Sequence, residues 1–273
     1  MDELDRFLSE DLGKKGDITS NALFTNQTAN ARIIAKEDCV VAGLEEARLL
    51  FTKIGVTATL FIQDGSAVEK GKTVMEIYGS VRSILKGERL ALNIIGRMSG
   101  IATETKKIVQ RCKRINPKVM VAATRKTTPG FRSFEKKAIV LGGGEPHRYG
   151  LFDAVLIKDN HLKMVGSVEE TIKTMKKKLP GKPIEIEVEN ESDALSAAQL
   201  NVEVIMLDNI DPETGERISR KIRNINSGIL IEVSGGITAK NIENYAAFAD
   251  RISLGYLTHS VKNKDFSLEI FKN

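Results

Sequence analysis

Residues 184–209 read IEIEVENESDALSAAQLNVEVIMLDN, and this stretch decides the fold. Ile184 to Val188 and Val202 to Leu207 are short β-branched runs, while Ser192 to Leu200 between them carries helical spacing. Buried strands alternating with helices imply a parallel sheet covered by helices. Working outward, the rhythm repeats. Further strands are expected at Val119–Ala123, Phe152–Ile157, Ile229–Val233 and Arg251–Leu254, with helices at Phe134–Leu141, Val168–Leu179, Pro212–Asn224 and Ala239–Phe248. Every strand runs into polar or glycine residues: Thr124-Arg125-Lys126, Lys158-Asp159-Asn160, Glu189-Asn190, Asp208-Asn209, Ser234-Gly235-Gly236 and Gly255. Six such ends converge on one point only if they form a ring, the arrangement of a (β/α) barrel with its site at the C-terminal face. An open doubly wound sheet would gather them at one switch point instead. Six strands fall short of the usual eight, so the barrel is expected to be incomplete.

The part before the barrel follows a different pattern. A short helix over Asp2–Glu10 and a turn at Gly13–Asp17 lead to a second helical turn capped by Thr19 or Ser20. Strands follow at Ala31–Ile34, Thr57–Ile62 and Thr73–Tyr78. A long helix over Gly87–Arg114 repeats Ile94, Met98, Ile101, Thr105, Ile108 and Cys112 at three- and four-residue spacing, which marks one buried face. The expected fold is therefore an N-terminal α/β sandwich over 1–103, hammerhead-like, and an incomplete TIM-like barrel over 104–259. The tail, 260–273, is expected to return to the first domain.

Composition sets outer limits on function. The chain has 273 residues, 41% of them hydrophobic and 28% charged, as in a globular protein with a full core. Its net charge of +5 favours anionic partners, but acidic and basic residues are interleaved along the chain. Aromatic residues make up 5% and tryptophan is absent, which leaves no stacking set for nucleic acid. Cys39 and Cys112 form no spaced pair and read as reduced cytoplasmic thiols. Neither a signal peptide nor an apolar run of transmembrane length is visible, so a soluble cytoplasmic protein without membrane contact is expected.

The chemistry lies at the strand ends. Arg125, Lys126, Arg148 and Lys158 form a cationic set suited to a small polyanion, since arginine forks hold carboxylates and lysine serves phosphate as a point charge. Their alternative partners are Glu135, Glu145 and Asp153. Glu185, Glu187 and Glu189 alternate, so they share one strand face, read here as the barrel interior. There Glu187 and Asp208 can hold Mg²⁺ through oxygen ligands, bond sugar hydroxyls, or pair with the lysines without a metal. Ser234-Gly235-Gly236 and Gly255 can present backbone N–H groups to a phosphate. His147, His161 and His259 match no compact zinc spacing.

These residues resemble the quinolinate phosphoribosyltransferase family. The resemblance rests on Thr124 to Gly130 (TRKTTPG), His147 to His161 (HRYGLFDAVLIKDNH), Gly16-Asp17-Ile18-Thr19, Glu88-Arg89, Met206 to Asn209, Ser234 to Ile237 and Leu257 to Ser260. It spans nearly the whole chain. It implies transfer of phosphoribosyl from phosphoribosyl pyrophosphate to quinolinate with decarboxylation, yielding nicotinate mononucleotide, pyrophosphate and CO2 in NAD biosynthesis, with Mg²⁺. It also implies roles at matching positions. Thr124, Arg125, His147 and Arg148 bind the pyridine dicarboxylate, and Lys126 and Lys158 serve at its boundary with the sugar donor. Glu187 and Asp208 bind ribose hydroxyls and the metal, acting with the two lysines as the catalytic set. Ser234, Gly235, Gly236 and Gly255 hold the 5′-phosphate, and Arg89 reaches the site of a neighbouring subunit in a homodimer. A molybdenum-transport-associated relative is expected to differ after Arg-Lys and at Lys-Asp-Asn-His, whereas this chain keeps Thr127 to Gly130 and Lys158 to His161. An enzyme using nicotinate, a monocarboxylate, would need fewer cations.

Overall fold

The computed structural model describes residues 2–271. The chain divides into two compact units. The first holds the residues up to Lys106, Thr128–Gly143 and those from Ser260 onward; the second holds Lys107–Thr127 and Gly144–His259.

The first unit begins with α1 (Glu3–Leu12), α2 (Ile18–Leu23), β1 (Thr28–Ala35), β2 (Cys39–Val40), α3 (Leu44–Lys53), β3 (Thr57–Leu60), β4 (Ala67–Val68) and β5 (Thr73–Ser80). The cap of α2 is Asp17, not Thr19 or Ser20, because its carboxylate accepts the Ser20 N–H at 2.9 Å. Helix α4 (Val81–Ile115) starts six residues before the sequence suggested. Gly87, the expected first residue, sits inside it, and a Cβ there would meet Ile54 at 2.8 Å and Phe51 at 2.9 Å. The boundary between the units falls within α4, and its periodic apolar face is buried along its length, from Ile94 to Cys112.

The second unit takes β6 (Met120–Ala122), and the chain then returns to the first unit for α5 (Arg132–Leu141). A contiguous reading places α5 in the barrel; instead buried Glu135 accepts Arg97 Nη2 at 2.8 Å and the Thr128 hydroxyl at 3.0 Å, all within the first unit. The second unit continues through β7 (Val155–Ile157), α6 (Asp159–Val165), α7 (Val168–Lys178), β8 (Ile184–Val188), α8 (Glu191–Gln199), β9 (Val204–Asp208), α9 (Pro212–Ile225), β10 (Leu230–Ser234), α10 (Glu243–Ala246), β11 (Arg251–Ser253) and α11 (Tyr256–His259). The last strand, β12 (Phe266–Phe271), pairs with β1, so the first unit's main sheet runs β12-β1-β5-β3, all antiparallel.

The barrel-like unit is one parallel sheet in the order β6-β11-β10-β9-β8-β7. No described ladder joins β6 to β7, so the barrel stays open on that side. The outer edge of β6 is met only by the backbone at Glu145, which donates to Val121 O and accepts from Ala123 N, each at 2.8 Å. Strands give way to helices where short polar side chains cap them. Ser167, Asn190 and Asp211 accept the N–H groups of Glu170, Asp193 and Thr214 at the starts of α7, α8 and α9.

Three expectations fail locally. The strand expected from Phe152 begins only at Val155, leaving Phe152 89% exposed. Asp159–Val165 forms an unforeseen helix because His161 Nδ1 accepts the Lys158 N–H at 2.9 Å at its start. The helix expected over Ala239–Phe248 shrinks to a single turn. Among the described residues, no helix is long and apolar enough to cross a membrane.

Candidate active site

Register decides which side chains meet. Glu187 pairs with Met206, Met206 with Glu232, Glu232 with Arg251, and Arg251 with Met120. Paired residues of parallel strands point to the same face, and so do their i±2 neighbours. Glu185, Glu187, Asp208, Glu232, Ser234, Arg251 and Ser253 therefore share the interior face. On β8, Ile184, Ile186 and Val188 alternate with the glutamates and face the helices; all five residues are buried. Glu189 is the correction here. It has the right parity but lies beyond the last residue of β8 and is exposed.

A cleft of about 420 Å³ opens at the strand ends. Thr124, Arg125 and Lys126 after β6, His147 and Arg148 on the following loop, Lys158 after β7, Glu187 of β8, Asp208 of β9 and Ser234 of β10 line it. The structure thus gathers in one unit nine of the thirteen residues singled out from sequence. It adds Ala123, Leu156, Met206 and Ser253 to the lining. Ser253 was legible only through register, because nothing in its local sequence marks it.

The bland partners proposed for the cations are engaged elsewhere. Glu135 holds Arg97, Glu145 Oε2 lies 3.5 Å from Arg251 Nε, and Asp153 accepts the Tyr149 N–H. Lys158 is the exception, because its ammonium is hydrogen-bonded to Glu187 Oε2. Burial, and next the nearby Arg125 guanidinium, lower the pKa of Arg148, as expected of cations crowded to receive an anion.

The glycines expected to take a phosphate flank the lining. Gly235 and Gly236 follow Ser234 with φ +82° and +60°. A Cβ on Gly235 would lie 2.3 Å from Asn209 Oδ1 and 2.6 Å from Asn209 N. Asn209 stands in the sequence as part of a strand end and a motif, with no role of its own. Its backbone N–H donates to Ser234 O at 3.0 Å and its Nδ2 to Asp208 Oδ2 at 2.7 Å, tying the acidic strand end to the glycine turn. A Cβ on Gly255 would meet Lys126 Cδ at 2.8 Å, and the Thr258 hydroxyl donates to Lys126 O at 2.7 Å.

The histidines part company. His147 enters the cleft, His161 caps α6, and His259 closes α11. Arg89 is the one candidate on the other unit. It is exposed on α4 and lines a separate cleft of the first unit, of about 720 Å³, with Glu10, Asp11 and Pro129. Neither cysteine is a nucleophile: both are buried, and burial pushes each thiol up to about 11.

The sequence matches the family models described as quinolinate phosphoribosyl transferase, N-terminal domain, over residues 17–99, and C-terminal domain, over residues 101–269. The chain belongs to the quinolinate phosphoribosyltransferase family. Within it, a probable nicotinate-nucleotide pyrophosphorylase [carboxylating] of Archaeoglobus fulgidus is 43% identical, over 94% of this chain and 99% of that protein. One of the same name from Methanocaldococcus jannaschii is 42% identical, over 98% and 96%. The structure of NadC from Streptococcus pyogenes superposes with a TM-score of 0.91 at 39% identity, covering 98% of this chain and 96% of that one. The family match spans both units, so the cleft of the second is read as a phosphoribosyltransferase site.

Proposed function

We propose that this protein transfers phosphoribosyl from phosphoribosyl pyrophosphate to quinolinate and decarboxylates the adduct, forming nicotinate mononucleotide, pyrophosphate and CO2 in NAD biosynthesis. The observation that carries this reading is the cleft itself, which brings Arg125, His147, Arg148 and Lys158 together with Glu187, Asp208 and Ser234. Arg125, Arg148 and His147 hold the two ring carboxylates, with Thr124 beside them. Ser234, Gly235, Gly236 and Gly255 take the 5′-phosphate at the last two strand ends, where barrels commonly bind phosphate. As the pyrophosphate leaves, the ribose gains positive charge, which Glu187 and Asp208 stabilise electrostatically. Lys126 and Lys158 stand where the diacid and the sugar phosphate meet. Bond formation makes the ring nitrogen cationic. The cationic nitrogen then stabilises the electron pair left at C2 when CO2 departs, a proton from water fills that position, and no covalent nucleophile is needed.

Glu187 and Asp208 also fit Mg²⁺. Their side chains share one face of adjacent strands and offer the hard carboxylate oxygens that this ion takes while keeping several waters. Bound there, the ion would offset charge on the pyrophosphate. We further propose a cytoplasmic homodimer in which Arg89 completes the partner's site. Its exposure on α4 supports this, as do exposed Leu151 and Phe152 beside the edge strand β7. Carboxyl-labelled quinolinate, phosphoribosyl pyrophosphate and Mg²⁺ incubated with the purified protein test the activity. Labelled CO2 is the expected product; label retained in quinolinate while a homologue releases it would overturn the reading.

A further inference from the structure

At the floor of the cleft lies a buried ionic cluster in which the proposed chemistry gives a task to His147 alone. His147 Nε2 stands 3.4 Å from Glu185 Oε1 on β8 and 3.5 Å from Glu232 Oε1 on β10. Arg251 on β11 places Nη1 2.9 Å from Glu232 Oε2 and 3.9 Å from Glu185 Oε2. The Ser253 hydroxyl donates to Glu232 Oε1. Glu232 is 0% exposed and Glu185 7%. Such carboxylates survive burial only when compensated. Glu145 also faces Arg251, at 3.5 Å, so with a neutral His147 the two buried carboxylates would share one guanidinium in direct contact. The three groups His147, Glu185 and Glu232 bring ligand atoms within 4.8 Å of one another, but Arg251 already occupies the role a metal cation would fill.

Resting on the quinolinate reading, we propose that Glu185, Glu232 and Arg251 are positioning residues that clamp the His147 ring as a charged donor at the floor of the cleft, biasing the site toward a diacid. Two further observations agree. His147 adopts a left-handed backbone, φ +53°, a conformation unusual outside glycine that persists where the surroundings over-determine it. Burial works against its charge, yet attraction to the Glu185 and Glu232 carboxylates, 3.4 and 3.5 Å away, outweighs burial and raises its pKa to about 9. The charged groups around it are Glu185 on β8, Glu232 on β10, Arg251 on β11, Glu145 and Arg148 on its own loop, and Arg125 after β6. With Arg125 and Arg148 above it, a protonated His147 is the extra cation that a second ring carboxylate repays and a monocarboxylate does not.

Imidazole NMR titration of the full chain is the direct test, since only three histidines must be resolved. The His147 signal, assigned by its loss in His147→Gln, is expected to keep its proton past neutrality and to release it near pH 9. In Glu232→Gln that release moves down toward the ordinary histidine range. In the CO2-release assay the same variant raises KM for quinolinate by about tenfold or more. KM for phosphoribosyl pyrophosphate and kcat stay close to wild type, and Glu232→Asp recovers part of the loss. Glu185→Gln carries the same prediction if shifted His161 and His259 signals reveal that Glu232→Gln has misfolded. A wild-type His147 that deprotonates near 6.5, or variants that leave both its titration and KM unchanged, overturn the inference. A wild-type protein inactive on quinolinate overturns the functional reading alone, and the titration still decides whether the clamp exists.

Discussion

Gly235→Ala tests the join between the glycine turn and the acidic strand end. Alanine at φ +82° costs about 1–2 kcal/mol of backbone strain. Its Cβ would also fall 2.3 Å from Asn209 Oδ1 and 2.6 Å from Asn209 N. The side-chain oxygen can swing away, but the backbone nitrogen, fixed by its bond to Ser234 O, cannot. Restoring an ordinary 3.4 Å contact from 2.6 Å moves the turn by about 0.8 Å. That is enough to break a hydrogen bond to phosphate. One such charge-assisted bond is worth about 1.5–3 kcal/mol, or roughly ten- to a hundredfold in KM for phosphoribosyl pyrophosphate. Initial rates at varied donor concentration measure the effect, and a fall of a few degrees in Tm reports the strain. Gly181→Ala is the control. Its φ is +75° with nothing within 4 Å, so it should lower Tm and leave KM alone. A Gly235→Ala enzyme with both quantities unchanged would refute the assignment of this turn to the phosphate.

Two further predictions follow from the same geometry. Arg89→Ala and Arg125→Ala are each expected to be inactive, and equal mixing should restore about a quarter of wild-type activity, because half the dimers are mixed and each carries one intact site; no recovery after subunit exchange would argue against a shared site. Stability should depend on pH through His147, whose pKa is raised from 6.5 to about 9. A raised pKa stabilises fully below 6.5, and the contribution is lost as pH climbs through 9, so the urea midpoint should fall across that interval. The buried cysteines, raised from 9.0 to about 11, lower stability only from about pH 9 upward, where unfolded thiols ionise, so His147→Gln should flatten the slope below that.

The cationic set was legible because strand ends are written in the sequence as polar residues after β-branched runs. What failed was local and has local causes. Gly87 is a packing contact inside a helix that starts earlier, and His161 is a helix cap. Glu189 keeps the parity of its neighbours but lies one residue past the strand. Arg251 and Ser253 went unnoticed because each acts through a residue on another strand, a relation that no window along the chain contains.

By itself, then, the sequence determined the parallel architecture, the strand ends that carry charge and the family that uses them, because hydrophobic periodicity and motif spacing are properties of neighbours along the chain. Tertiary structure alone decided that α5 joins the first unit, that β6 and β7 leave the barrel open, and that Glu185, Glu232 and Arg251 meet beneath His147. Those outcomes depend on register between strands distant in sequence and on the charge balance of a buried space.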